Sequence, residues 1–322
     1  MFLKYLVLGL SFVTWLAQAD PGKNAMCIAP AKPGGGFDLT CQLVRDSLQT
    51  SGVTRTPIGI TYQPGGIGAL AFKNVVTHNT ADGSAVIAFS SGTLLNLAQG
   101  RFGPYTAANV RWLYGLGMDY GVIAVRQNAP YKNLSQLVST LHEAPQKMIF
   151  GAGGSIGSQD WFKAALLARR AGVSHKTMRF VAFEGGGEAL SALQGEHVHV
   201  LAGDAAEVGQ QIDRGAKVRI LAVLADKRLP GRWSHVPTAK EQGFDIQWPI
   251  LRGVYMGPDV TEGQRKEWVD ALSRATAHPQ FKRTLDRSGL EGKTLTGVAL
   301  EQWIQHQMTE YQKMAQEFGL LR

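Results

Sequence analysis

The chain has little cysteine, little charge and no long apolar run beyond its first residues. It contains two cysteines, Cys27 and Cys41, in 322 residues. That number excludes a disulfide-stapled scaffold, and a separation of fourteen is not the C-x-x-C spacing of zinc and redox motifs. Only 18% of residues are charged against 44% hydrophobic, the balance of a chain that buries a core. Lys and Arg total 33 and Asp and Glu 25, giving +8. The excess is scattered rather than clustered in basic blocks, which argues against nucleic-acid binding and for a weak general attraction to anions. After the N-terminus no apolar stretch approaches the ~20 residues that span a bilayer, which excludes a membrane-embedded transporter. What the chain has in abundance is glycine, 38 residues, about 12% against a usual ~7%. The glycines follow no collagen-like period and must therefore serve loops.

Residues 1–19 read MFLKYLVLGLSFVTWLAQA: one cation, Lys4, a short apolar stretch, then Ala17-Gln18-Ala19. This is the design of a secretory signal peptide cleaved after Ala19, which predicts an exported chain beginning at Asp20. Export makes a Cys27–Cys41 disulfide chemically allowed. A strand-like run holds Cys27 and the following helix holds Cys41, so a bridge and two buried thiols both remain open.

A unit of apolar run, glycine cluster and helical pattern recurs four times. The clusters are Pro33-Gly34-Gly35-Gly36, Pro64-Gly65-Gly66-Ile67-Gly68, residues 151–157, and Gly185-Gly186-Gly187. Further strands are expected at 85–89, 122–125, 198–201, 218–223 and 253–256, with helices between them. The pattern is α/β with largely parallel sheets. The tail from 262 looks helical, with Trp268, Leu272 and Ala275 on one apolar stripe and Trp303, Met308, Tyr311 and Met314 on another. No low-complexity linker divides the chain, so two domains would be crossed more than once, near Tyr120 and Trp248. The expected division is 20–121 and 247–322 in one lobe and 122–246 in the other.

Glycine clusters followed by helices present successive backbone N–H groups and a positive dipole end, an anion site that needs no cationic side chain. Neither nucleotide fingerprint is satisfied: Arg287 stands where a P-loop ending in Gly292-Lys293-Thr294 requires glycine, and Ile156 stands where the dinucleotide motif does. Gly153-Gly154-Ser155-Ile156-Gly157 matches the G-x-S-x-G nucleophile elbow of α/β-hydrolases, with Asp204, Asp213 or Asp226 and then His235 in the right chain order. A secreted serine hydrolase using Ser155 is thus the alternative reading, although no HGGG-type oxyanion segment precedes it. His197-Val198-His199 lacks a suitably spaced third ligand for zinc, and no metal or cofactor is expected. Asp204 ends a strand, where α/β sheets place ligands.

Ala31-Lys32-Pro33-Gly34-Gly35-Gly36-Phe37-Asp38 resembles the PGGxxD signature of the periplasmic solute receptors of tripartite tricarboxylate transporters, the Bordetella-uptake-gene family. The resemblance continues through Gln63 to Gly68, Phe89-Ser90-Ser91-Gly92-Thr93, Gly153 to Ser158, Phe183 to Glu188, Asp226 to Pro230 and Val236-Pro237-Thr238. Lys32 and the segment Trp248-Pro249-Ile250-Leu251-Arg252-Gly253 depart from the usual pattern and look like the citrate-binding branch. The resemblance implies a two-lobed, type II-like periplasmic binding protein, each lobe a mixed, largely parallel sheet flanked by helices. It would capture citrate or a related tricarboxylate and deliver it to a large and a small membrane permease subunit. A sensor role toward a signalling partner such as a sensor kinase would use the same pocket. The expected ligand residues are Lys32, Gly35, Gly36, Phe37, Asp38, Ser90, Ser91, Gly92, Ser155, Ile156, Gly157, Ser158, Asp204 and Arg252. Among these, Arg252 is expected to supply the positive charge that selects three carboxylates over two, the alternative being a surface or hinge ion pair with Asp119 or Asp245. Asp38 and Asp204 are expected to orient the carboxylates rather than contact them.

Overall fold

The computed structural model describes residues 24–321; the expected signal segment and its cleavage site lie outside them. The first glycine unit forms β1 (Met26–Ala29) and α1 (Gly36–Thr50). Phe37, Cys41, Val44 and Leu48 recur every three or four residues and give α1 one buried stripe. The second unit forms β2 (Gly59–Tyr62) and α2 (Ala69–Thr77). Next come β3 (Ala85–Ser90), whose unbroken apolar run is wholly buried, and α3 (Ser91–Ala98), capped by the Ser90 hydroxyl.

The strand expected at 122–125 is far longer. It is β4 (Arg111–Arg126), sixteen residues that run through the whole molecule. After it come α4 (Leu134–Glu143), β5 (Ile149–Gly153), α5 (Gln159–Arg170), β6 (Arg179–Phe183), α6 (Gly186–Gln194), β7 (Val200–Asp204), α7 (Ala205–Asp213) and β8 (Val218–Val223). The chain then returns through β9 (Pro249–Met256) to α8 (Glu262–Ala277), α9 (Pro279–Ser288), β10 (Leu295–Thr296) and α10 (Gly297–Glu317).

Among the described residues the strand order is β2-β1-β3-β9-β4-β7-β5-β6, with β10 and β8 also pairing β4. The outer pairs, β1 with β2 and β3 and β5 with β6 and β7, are parallel. The expectation of largely parallel sheets therefore holds on the flanks, while every pairing of β4 and β9 is antiparallel. Up to Tyr120, which lies opposite Pro249, β4 pairs with β9; from Gly121, opposite Asp204, it pairs with β7 and β8. Gly121 is glycine for a steric reason: a Cβ there would stand 2.6 Å from Lys163 Cδ and 3.0 Å from Trp248 Cβ.

The terminal helix also links the two groups of strands. Its inward face is Leu300, Ile304, Met308, Tyr311 and Ala315, with Trp303 and Met314 only half-buried at its edge. Tyr311 stacks on Trp248, and Phe318 beyond the helix meets Trp161 and Phe162 edge-on.

Cys27 and Cys41 are bonded, with Cα atoms 5.5 Å apart. The bond ties β1 to α1 and so fixes both ends of the first glycine loop. Closing a loop of this length contributes about 3 kcal/mol. A Cys27→Ala/Cys41→Ala variant should accordingly lose about 2–3 kcal/mol in urea unfolding, and stability equal to the parent's would show that the bond constrains nothing.

Candidate functional site

Five helices begin around one partly open cavity. Its lining includes Gly35, Gly36 and Phe37 from α1, Ser90 and Gly92 from α3, Ser158, Gln159 and Asp160 from α5, Gly185 and Gly186 from α6, and Asp204 and Glu207 from α7, with Arg252 of β9. Each helix start carries N–H groups without intrahelical partners and a partial positive charge. Some are already engaged: Gly92 donates to Ser90 Oγ, Trp161 to Ser158 Oγ, and Ala206 to Asp119 Oδ1.

Arg252 lies at the floor, fully buried. Its Nε and Nη2 donate to Asp119 Oδ2 at 3.0 and 2.5 Å, Nη2 also to Asp204 Oδ2 at 2.9 Å, and Nη1 to the Gly36 carbonyl at 3.0 Å. Gly36 must be glycine, because a Cβ there would collide with the guanidinium. Lys163, also fully buried, reaches Asp160 Oδ1, Asp204 Oδ1 and the Gly203 carbonyl, each at 2.7 Å. Burial alone would raise the Asp204 carboxyl, but Lys163 and Arg252 hold it below its ordinary range. Burial pushes Asp160 up to about 6 against the pull of Lys163, and burial together with Asp204 pushes Glu207 up to about 8.

The expectation that Arg252 supplies its charge to the ligand gives way to the alternative, an ion pair with Asp119. Four of its five N–H groups are taken by Asp119, Asp204 and Gly36, because an arginine removed from water needs partners. Lys32 is half-exposed and pairs with Glu188 of α6 at 2.8 Å. Asp38 sits behind the first loop, where it accepts from Gly34 N, Gln42 Nε2 and the Tyr62 hydroxyl and braces the turn. Ser91 Oγ accepts from Leu251 N on the far side of the cavity wall.

The loop at 155–158 divides. Ser158 lines the cavity, whereas Ile156 is 48% exposed and points away. Arg101 holds the outer part through Ser155 Oγ, at 3.1 Å, and the Ile156 carbonyl, and Gln99 donates to the Gly157 carbonyl at 2.8 Å. Among the described residues no imidazole or carboxylate is hydrogen-bonded to the Ser155 hydroxyl. The acids that gave a hydrolase chain order lie elsewhere: Asp204 in the buried network, Asp213 with Arg232, and Asp226 with Lys240. The hydrolase reading has no assembled base. Among the described residues no group of three or more His, Cys, Asp or Glu side chains is placed to hold a metal.

Sequence reasoning named Asp119 only as an alternative partner of Arg252 and missed Gln159, Asp160, Lys163 and Glu207. The Asp160/Lys163 and Asp204/Glu207 spacings are helical neighbours and carry a faint signal. Nothing local marks Asp119, which is one residue of a buried strand.

Removing one member of a buried ion cluster leaves its partners charged and unpaired, which costs about 3–5 kcal/mol. Arg252→Gln should therefore lose about 3 kcal/mol or more in urea unfolding without ligand. A loss under about 1 kcal/mol would show that the guanidinium does not hold the floor together.

The family model described as "Tripartite tricarboxylate transporter family receptor" matches residues 55–320. A UPF0065 protein of Bordetella pertussis is 22% identical over 309 residues, 94% of this chain and 93% of that protein. Among solved structures, MatC of Rhodopseudomonas palustris with bound malate superposes with TM-score 0.77 at 23% identity, covering 90% of this chain and 98% of its own. A second R. palustris protein, solved with adipate, gives TM-score 0.82 at 18% identity, covering 92% and 97%. These likenesses show a periplasmic-binding-protein fold, and the family match, which takes in most of its length, places the chain in the tripartite tricarboxylate transporter receptor family.

Proposed function

We propose that the protein is a periplasmic receptor that captures a small carboxylate between two lobes and passes it to the large and small permease subunits of a tripartite transporter. The observation that carries this reading is the convergence of five helix N-termini on one cavity. Partial positive charge and unpartnered amides suit a carboxylate. The proposed contacts are the N–H groups of Gly36 and Phe37 on one side and those of Gly186 and Gln159 on the other, with Ser90 and Ser158 on the walls.

The lobes would be residues 20–121 with 247–322, and 122–246, flexing where β4 and β9 pass between them. Rim contacts suit a closed state: Lys32 with Glu188, and Arg101 with Ser155, join the first part of the chain to the second. Among the described residues no helix is long and apolar enough to cross a membrane. Malate in MatC and adipate in the second R. palustris protein support a dicarboxylate-sized ligand. Citrate, the ligand expected from Lys32 and Arg252, loses its electrostatic argument once both cations are engaged by protein carboxylates, and it enters the ligand panel as one member.

A hydroxyl on the ligand has a waiting acceptor. Gln159 donates through Nε2 to Asp204, and its buried Oε1 is without a hydrogen-bond partner. A neutral hydrogen bond contributes about 1 kcal/mol and more when its loss strands a buried group. Thermal-shift and calorimetric titrations with malate, succinate, adipate and citrate test both points. At least one should raise the melting temperature without being consumed. Gln159→Leu should weaken malate about fivefold or more and leave succinate nearly unchanged. No shift from any of the four would overturn the receptor reading, and equal losses for malate and succinate would overturn the hydroxyl contact.

A further inference from the structure

The cavity floor holds more acid than base. Four buried carboxyl groups, Asp119, Asp160, Asp204 and Glu207, meet two buried cations, Lys163 and Arg252. Lys163 directs its three donors, and Arg252 four of its five, to Asp119, Asp160, Asp204 and backbone carbonyls. Glu207 is left over. It is only 7% exposed, it lines the cavity, and no described group donates a hydrogen bond to its carboxyl. The carboxyl faces two of the helix starts at once. A Cβ on Gly35 would stand 3.2 Å from Oε1, and one on Gly186 would collide with Oε2.

An anionic ligand cannot share this space with an ionised Glu207, because like charges out of water repel strongly. A protonated carboxyl there is a donor, with one O–H to offer a ligand oxygen. Resting on the carboxylate reading above, we propose that Glu207 keeps a proton in the complex and donates its O–H to a ligand carboxylate, so that the receptor binds its carboxylate together with one proton. No bond to hydrogen is broken; the proton stays on Glu207 and bridges to the ligand.

The surroundings favour the protonated form. Burial raises the Glu207 carboxyl most, to about 8, and Asp204 at the end of β7 and Asp160 on α5 add to it; Arg252 of β9 and Lys163 of α5 oppose them. Asp119 of β4 is neutralised by Arg252. At the rim, Glu188 of α6 pairs with Lys32, Glu184 adds a further acid, and Asp38 of α1 is turned toward its own loop. The proton is thus a countercharge beyond the two cations, which carboxylates of the protein already pair.

The sign of the pH dependence follows. Below the pH at which Glu207 of the empty protein ionises, affinity is flat; above it, binding must take up a proton and weakens about tenfold per pH unit. Malate is the probe, since it is fully ionised between about pH 7 and 9.5. Titrations over that range should show the parent dissociation constant rising at least about tenfold. Glu207→Gln keeps an N–H donor but cannot titrate, so whatever affinity for malate it retains should stay constant from about pH 7 to about pH 9.5. Calorimetry of the parent near pH 9, in two buffers of different ionisation enthalpy, should report uptake approaching one proton and needs no variant. Malate binding with no proton uptake, a flat parent profile, or a parent that binds more tightly as pH rises would overturn the proposal while leaving the receptor reading intact. Failure of malate, succinate, adipate and citrate alike to bind at any pH would overturn the receptor reading and this proposal with it.

Discussion

The guanidinium of Arg252 joins three strands that come from distant parts of the chain. It projects from β9, grips Asp119 on β4, reaches Asp204 at the end of β7, and holds the first carbonyl of α1. These are the strands through which the chain passes between its two groups of strands, so one side chain fixes their mutual position at the cavity floor. Through Asp119, which accepts from Ala206 N, it also sets the start of α7 and hence the position of Glu207. Buried ion clusters contribute little net stability relative to an apolar core, yet breaking one is costly. Their effect here is geometric: they hold the helix starts at fixed positions around a small polar space.

That arrangement explains why a basic protein can have an acidic cavity floor. The +8 formal charge lies mostly on the surface, where cations also sit in exposed pairs such as Lys282 with Asp286 and Lys313 with Glu310. Exposed pairs of this kind contribute little and are screened by salt. Inside, Lys163 and Arg252 pair with Asp119, Asp160 and Asp204. A ligand carboxylate would therefore be recognised by oriented amides rather than by a cation, a mode that depends on geometry more than on net charge.

Much of the fold could be read from the sequence because glycine clusters separate short apolar runs from helices with apolar stripes. The four strand–loop–helix units are each present, and β4 changes partners between Tyr120 and Gly121. The length of β4 could not be read, since Gly115, Gly117 and Gly121 interrupt its apolar pattern where neighbours pack against the backbone. At the site, the glycine loops and Asp204 were legible as local motifs. The role of Arg252 was not: a lone arginine before a glycine carries no sign of whether it meets a ligand or two buried aspartates. Asp119 entered only as one of two alternative partners for it, and Lys163 was silent, because charge pairing across 133 or 41 positions is decided by topology.

The measurement that bears most directly on this account is a crystal structure of the protein with a bound dicarboxylate. Ligand carboxylate oxygens should lie within about 3 Å of the backbone nitrogens that open α1 and α6, with Arg252 still bonded to Asp119 and Asp204. A guanidinium released from Asp119 and forked onto the ligand would contradict the account, for the floor would then be a binding group and not the frame that positions one.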